Sequence, residues 1–172
     1  KFDLWALGEP LMDKEIDIKI RYAKDKGFKN LAIATNTQLL VNEIQDKLIA
    51  SRLDTIIFSI DGVNKNTHEY IRKGLNFDVI IANAKSIINK RNKSNSKMRF
   101  VFRFIRQESN RHEWPLFQKY WEDFINKEKG DVIIGYDVHT WGGEIDTATG
   151  KDDQDEINIV NKKVEKMPCH HI

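Results

Sequence analysis

Thr55-Ile56-Ile57-Phe58-Ser59-Ile60-Asp61-Gly62 is the stretch on which the reading of this sequence turns. Residues 55–60 form an almost continuous apolar run, the pattern of a strand covered on both faces, as in parallel α/β sheets. Asp61-Gly62 then closes the run with a turn. Outward from it, the same punctuation repeats. Residues 3–7 run into Gly8-Glu9-Pro10, and residues 31–34 into Thr35-Asn36. Residues 98–105 and 132–138 supply a fourth and a fifth apolar segment.

Between these segments the apolar residues switch to helical spacing. A helix is predicted over 13–26, with Met12, Ile16, Ile20 and Ala23 on one face and Gly27 as its stop. Others are predicted over 38–50 (Leu40, Ile44, Leu48 inward), 64–72, and 78–91 (Ile80, Ala84, Ile87, Ile88 inward). Trp114, Phe117, Trp121 and Phe124 mark the buried stripe of the next, with Pro115 in its first turn. A last amphipathic helix carries Ile157, Val160 and Val164. Alternating strands and helices imply parallel strands joined by right-handed crossovers. Five strands fall short of the eight in a complete barrel. Periodicity alone is compatible with an open doubly wound sheet and with a partial barrel.

The bulk numbers narrow the function classes. The 172 residues suit one domain of ordinary size. The 28 basic and 26 acidic side chains leave a net charge of +2, too balanced to argue for nucleic acid or an anionic membrane. No apolar run approaches the ~20 residues of a membrane span, and no segment has the layout of a secretory signal, so a cytoplasmic protein is expected. The single cysteine, Cys169, excludes an internal disulfide and an all-cysteine metal site built from this chain. The chain reads as a strand from its first residues, with no initiator methionine, which suggests an excised or processed segment.

In parallel α/β folds, ligands gather at the C-terminal ends of the strands. Those ends carry Gly8-Glu9-Pro10, Thr35-Asn36, Ser59, Asp61-Gly62, Arg103, Arg106, His139, Trp141 and Gly142-Gly143. Each also has a plain structural reading: Gly and Pro make turns, Thr35-Asn36 can cap a helix, and Ser59 is small. Arg103, inside an apolar strand, demands an anionic partner from the protein or from a ligand. His170-His171 beside Cys169 reads as a polar tail, since adjacent side chains rarely converge on one ion.

Taken in order, Leu7-Gly8-Glu9-Pro10-Leu11, Thr35-Asn36 and Ser59-Ile60-Asp61-Gly62 resemble the radical S-adenosylmethionine (SAM) superfamily. The run Thr67-His68-Glu69-Tyr70-Ile71-Arg72, followed by Gly74 and Phe77, is similar to the SPASM-containing branch of that superfamily. The resemblance implies an α/β fold: a partial (β/α)6-type parallel barrel, incomplete, with its first strand missing, over residues 1–150. Residues 151–172 would form a linker helix and the start of a SPASM domain, since Met167-Pro168-Cys169 is similar to its opening and Cys169 would be its first metal ligand.

The implied cofactors are SAM and a 4Fe–4S cluster in the parent protein, with neither expected on this fragment. In such enzymes the reduced cluster cleaves SAM to a 5′-deoxyadenosyl radical that takes hydrogen from substrate. Gly8, Glu9 and Pro10 would meet the methionine ammonium, Ser59 the ribose or carboxylate end, and Arg72 the carboxylate. Asn36 and Asp61 would line the same mouth, and residues 133–138 would lie beside the adenine. The family's Cys-x-x-x-Cys-x-x-Cys loop is absent, and it follows the strand upstream of the one that opens this chain. Truncation is the simplest account, and the fragment is expected to be inactive.

Implied partners are a reductant protein and a small-molecule, peptide or sugar substrate, with dimerisation through the open barrel edge. Against this stand a cluster-free barrel that binds a nucleotide or a protein, and an ordinary barrel lyase or hydrolase using Asp61, His139 or Glu144.

Overall fold

The computed structural model describes residues 2–4 and 8–138. His139, Trp141, Gly142-Gly143, Glu144, the last predicted helix and Cys169 lie outside the described residues. Five strands form one sheet in the order β1 (Phe2–Asp3), β2 (Leu31–Thr35), β3 (Thr55–Ser59), β4 (Arg99–Arg106) and β5 (Val132–Asp137). Every neighbouring pair is parallel. Sequential order excludes a doubly wound sheet, whose order reverses at a switch point. Right-handed crossovers between strands in sequence order put all the helices on one face. That is the partial barrel.

The helices are α1 (Ile16–Asp25), α2 (Asn42–Ala50), α3 (Lys65–Ile71), α4 (Phe77–Lys93) and α5 (Trp114–Glu122). Strand side chains alternate in direction, and the two faces of this sheet differ accordingly. Leu31, Ile33, Ile56, Phe58, Phe100, Phe102 and Phe104 pack with Ile20, Leu48, Ile87, Phe117 and Trp121 in the main core. The rings are in contact: Phe58 lies 5.0 Å from Phe102, and Phe102 4.4 Å from Trp121. Each such burial stabilises by about 1.5–3 kcal/mol. The opposite face carries a separate small cluster of Ala34, Ile57, Val101 and Ile134.

The second to fifth predicted strands and the apolar stripes hold to within a residue or so, and two helix starts are corrected. The first strand, predicted over 3–7, is Phe2–Asp3, with Leu4 in a bend and residues 5–7 outside the described residues. Helix α1 begins at Ile16 rather than 13, because Glu9 caps a short 3-10 turn over Pro10–Met12 and Asp13 accepts from Glu15 N at 3.0 Å. Leu11 takes the buried place expected for Met12, which is 73% exposed. Helix α2 begins at Asn42 rather than 38, because Thr37 sits in left-handed backbone at φ 73° and stops a helix from starting there. Sharper ends are capped as chemistry dictates: Asn64 caps α3 and Asn76 caps α4, each accepting from the third backbone N–H onward.

At the N-terminal ends of the strands, Arg91 and Asp131 form a bidentate ion pair with no solvent exposure on either side chain. Asp131 also accepts from Phe100 N and Asn126 N, and the Arg91 guanidinium lies 4.4 Å over the Phe100 ring. Lys24, Asp54 and Leu31 N make a second, part-buried clasp at the same end.

Candidate functional site

The opposite rim, at the C-terminal strand ends, is built from two linked clusters. In the first, the Glu9 carboxylate gathers three donors: Leu11 N at 3.1 Å, Thr35 Oγ1 at 2.7 Å and Asn36 N at 2.7 Å. It pins the segment after β1 onto the end of β2. Gly8 turns into that segment at φ 99°, a conformation that L side chains rarely adopt. Asn36 Oδ1 accepts from Gln38 N, and Thr35 Oγ1 from Thr37 N, so the loop after β2 is rigid as well.

The second cluster lies on β3 and β4. Ser59 and Arg103 are register partners, and Arg103 Nη2 donates to Ser59 Oγ at 2.6 Å. Both stand above Ile57 and Val101 on the face opposite the helices, since strand side chains alternate. Burial pulls the Arg103 pKa down, and Arg72 adds to this; Asp61 and Tyr136 favour its charged form. Arg103, for which an anionic partner was expected, donates to the neutral Ser59 hydroxyl, and the Asp61 carboxylate is near enough to favour its charged form.

Asp61 is buried, and all four of its polar atoms are used. Its N–H donates to His68 Nδ1 at 3.2 Å, and its carbonyl accepts from Asn110 Nδ2 at 3.0 Å. Oδ1 accepts from Ile105 N at 2.7 Å, and Oδ2 from Arg72 Nε at 2.7 Å, with Arg72 Nη2 at 2.7 Å from the same oxygen. Asp61, expected at the mouth, joins β3, β4, α3 and the loop ahead of α5.

A model of the Radical SAM superfamily matches residues 3–103, more than half of the chain. The chain belongs to the radical SAM superfamily. Over 65 residues it is 40% identical to the AdoMet-dependent heme synthase of Methanosarcina barkeri (strain Fusaro / DSM 804), covering 38% of this chain and 18% of that protein. Over 64 residues it is 34% identical to the S-adenosylmethionine-dependent nucleotide dehydratase of Selenomonas ruminantium, covering 37% and 23%. The matched stretches span about a fifth of those relatives. Streptococcus suis SuiB, in a structure bound to its precursor peptide SuiA, superposes with a TM-score of 0.56 at 20% identity, over 90% of this chain and 32% of SuiB. At that identity the likeness is one of fold.

Within this radical SAM fold, Gly8, Glu9, Pro10, Asn36, Ser59 and Arg72 all belong to one rim. Thr35 pairs with Phe58, so Asn36 and Ser59 follow side by side, and β2 to β4 spans about 10 Å at two strand spacings. The residues fit a zwitterionic adenosine-bearing ligand: carbonyls of the Gly8–Pro10 turn, a hydroxyl, and a guanidinium held by a carboxylate. They do not supply a cluster site, since no group of three or more His, Cys, Asp or Glu able to hold a metal exists among the described residues.

Sequence reading missed two supports of the rim. Glu113, buried, accepts from Val63 N and Asn64 Nδ2 at 2.7 Å each and from Thr67 Oγ1, tying α3 to the start of α5. Thr37 is buried in left-handed backbone. Only the β-branched residue after Thr35-Asn36, where a turn needs glycine, could have signalled the second.

Proposed function

We propose that the chain forms the SAM-binding part of a radical SAM enzyme, with the cofactor lying across the C-terminal ends of β1 to β5. The observation that carries this reading is the Asp61–Arg72 pair beside Ser59–Arg103, on the same rim as the clipped Gly8-Glu9-Pro10 turn. Backbone carbonyls of the turn receive the methionine ammonium. The Glu9 side chain, occupied by Leu11, Thr35 and Asn36, acts by holding those carbonyls in place. Ser59 meets the ribose or carboxylate end, and Asn36 flanks it. Arg72, fixed through Nε and Nη2, offers its remaining donors to the carboxylate. Tyr136, above Ile134 on β5, stands beside the adenine. Asp61 orients Arg72 and does not touch the ligand.

SAM, when bound to a reduced cluster, supplies the radical that abstracts hydrogen from a substrate. The three thiolates such a cluster requires are not among these 172 residues, which hold one cysteine. On this reading residues 1–150 are the barrel part, and residues 151–172 lead into a SPASM segment with Cys169 as its first ligand. The cytoplasmic enzyme takes electrons from a reductant protein and acts on a peptide, sugar or small molecule. A peptide is favoured by the fold likeness to a protein that binds a precursor peptide.

The single cysteine also supports a second reading, a cluster-free nucleotide- or protein-binding barrel. Iron and sulfide analysis of the intact protein separates the two. Calorimetric SAM titration of the intact protein tests the site: Arg72→Ala is expected to weaken binding about tenfold, the loss of one charge-assisted hydrogen bond. Unchanged affinity would remove Arg72 from the site.

A further inference from the structure

We propose that His68 is a positioning residue that aims Arg72 at the cofactor carboxylate by fixing Asp61, without touching the ligand. The proposal rests on the reading of Arg72 given above.

His68 is fully buried in α3, and its Nδ1 accepts the Asp61 backbone N–H at 3.2 Å. An accepting Nδ1 sets the neutral tautomer with the proton on Nε2. Burial, with the Arg72 guanidinium nearby, pushes the imidazole down to about 4, so the accepting form persists at neutral pH. Nε2 has no hydrogen-bond partner among the described residues, and the ring leans on Phe77 at 5.5 Å.

A leucine or phenylalanine would fill this apolar niche without leaving a buried N–H unsatisfied, an arrangement that is unfavourable. What only histidine contributes here is the acceptor for Asp61.

The arrangement converts that one bond into aim. Residues four apart on a helix share a face, and both His68 and Arg72 grip Asp61, one through its N–H and the other through Oδ2. Arg72 N also donates to His68 O at 2.8 Å, closing the helix end. Ile105 N and Asn110 Nδ2 fix Asp61 to β4 and the loop beyond it. Gly62 brings the two backbones into near contact: a Cβ built there would stand 2.8 Å from His68 N. The height of α3 over the rim, and with it the direction of Arg72, is therefore set at His68.

The test uses the intact protein with its native metal content. Four variants are compared, His68→Asn, His68→Gln, Arg72→Ala and the His68→Gln/Arg72→Ala double variant. Each is read by SAM dissociation constant, melting temperature and hydrogen exchange of the Asp61 amide. Asparagine puts its oxygen near the position of Nδ1, whereas glutamine carries its amide one bond further out. His68→Gln is expected to speed Asp61 exchange and weaken SAM about fivefold to tenfold. His68→Asn is expected to restore both to within about twofold. In the Arg72→Ala background, His68→Gln should add no further loss of SAM affinity.

An equal added loss in that background, or a lower melting temperature with SAM affinity untouched, would overturn the proposal and leave His68 a packing residue. If Arg72→Ala alone leaves SAM affinity at the wild-type value, the cofactor reading of Arg72 fails first. That result is separable, because slow Asp61 exchange in His68→Asn and fast exchange in His68→Gln would still establish the bond.

Discussion

The two ends of the sheet hold ion pairs of opposite character. At the N-terminal end, Arg91 and Asp131 are sealed from water, and both carboxylate oxygens are shared between the guanidinium and backbone N–H groups. At the C-terminal end, Arg72 keeps 26% of its side chain exposed while its partner Asp61 is buried. The first pair closes a structure; the second presents a cation. On the proposed reading, the difference separates polar groups used for stability from polar groups offered to a ligand. In the Arg91–Asp131 pair both partners are buried, and in the Arg72–Asp61 pair only the anchoring carboxylate is.

The comparison is broken most severely by Arg91→Ala. Removing one partner of a sealed pair strands a buried charge, and a loss of about 3–5 kcal/mol in chemical denaturation is expected. SAM affinity of the molecules that remain folded should not change. A similar loss from Arg72→Ala would erase the distinction between the ends.

A smaller effect lies in the pH dependence. His68 titrates near 4 in the folded protein, against about 6.5 when unfolded. Between those values the unfolded chain binds the extra proton, so the neutral histidine contributes stability above about pH 6.5 that is lost as pH falls toward 4. Against wild type, His68→Asn should show a shallower loss of unfolding free energy over that window.

The smallest effect sharpens the contrast from the other side. Thr37 holds left-handed backbone at φ 73°, beside Asn36 on the rim. Thr37→Gly should relieve about 1 kcal/mol of strain, seen as a higher melting temperature. Left-handed backbone is not confined to the rim, since Asn30 and Arg52 adopt it at the N-terminal strand ends; Thr37 is the β-branched case.

How much of this was legible in the sequence follows the range of the interactions. The second to fifth strands and the apolar stripes were legible, because periodicity is local: Phe58 and Ile56 announce a covered strand from their own neighbours. The order of rim residues was legible too, since strand-end loops must meet at one end of a parallel sheet. The starts of α1 and α2 were not, because Glu9 reaches across to Thr35 and Asn36, and Thr37 adopts a conformation its residue type disfavours. The commitment of Asp61 was hidden for the same reason. Its partners Ile105 and Asn110 lie on another strand and loop, and their pairing exists only once β3 and β4 are side by side.

The central claim is that the rim from Gly8 to Arg72 binds SAM while the sealed end does not contribute. Calorimetric titration of SAM into the intact protein carrying Ser59→Ala together with Arg72→Ala tests it most directly. The account predicts an affinity at least about thirtyfold weaker, with the fold retained. SAM binding at wild-type strength in that variant would contradict it.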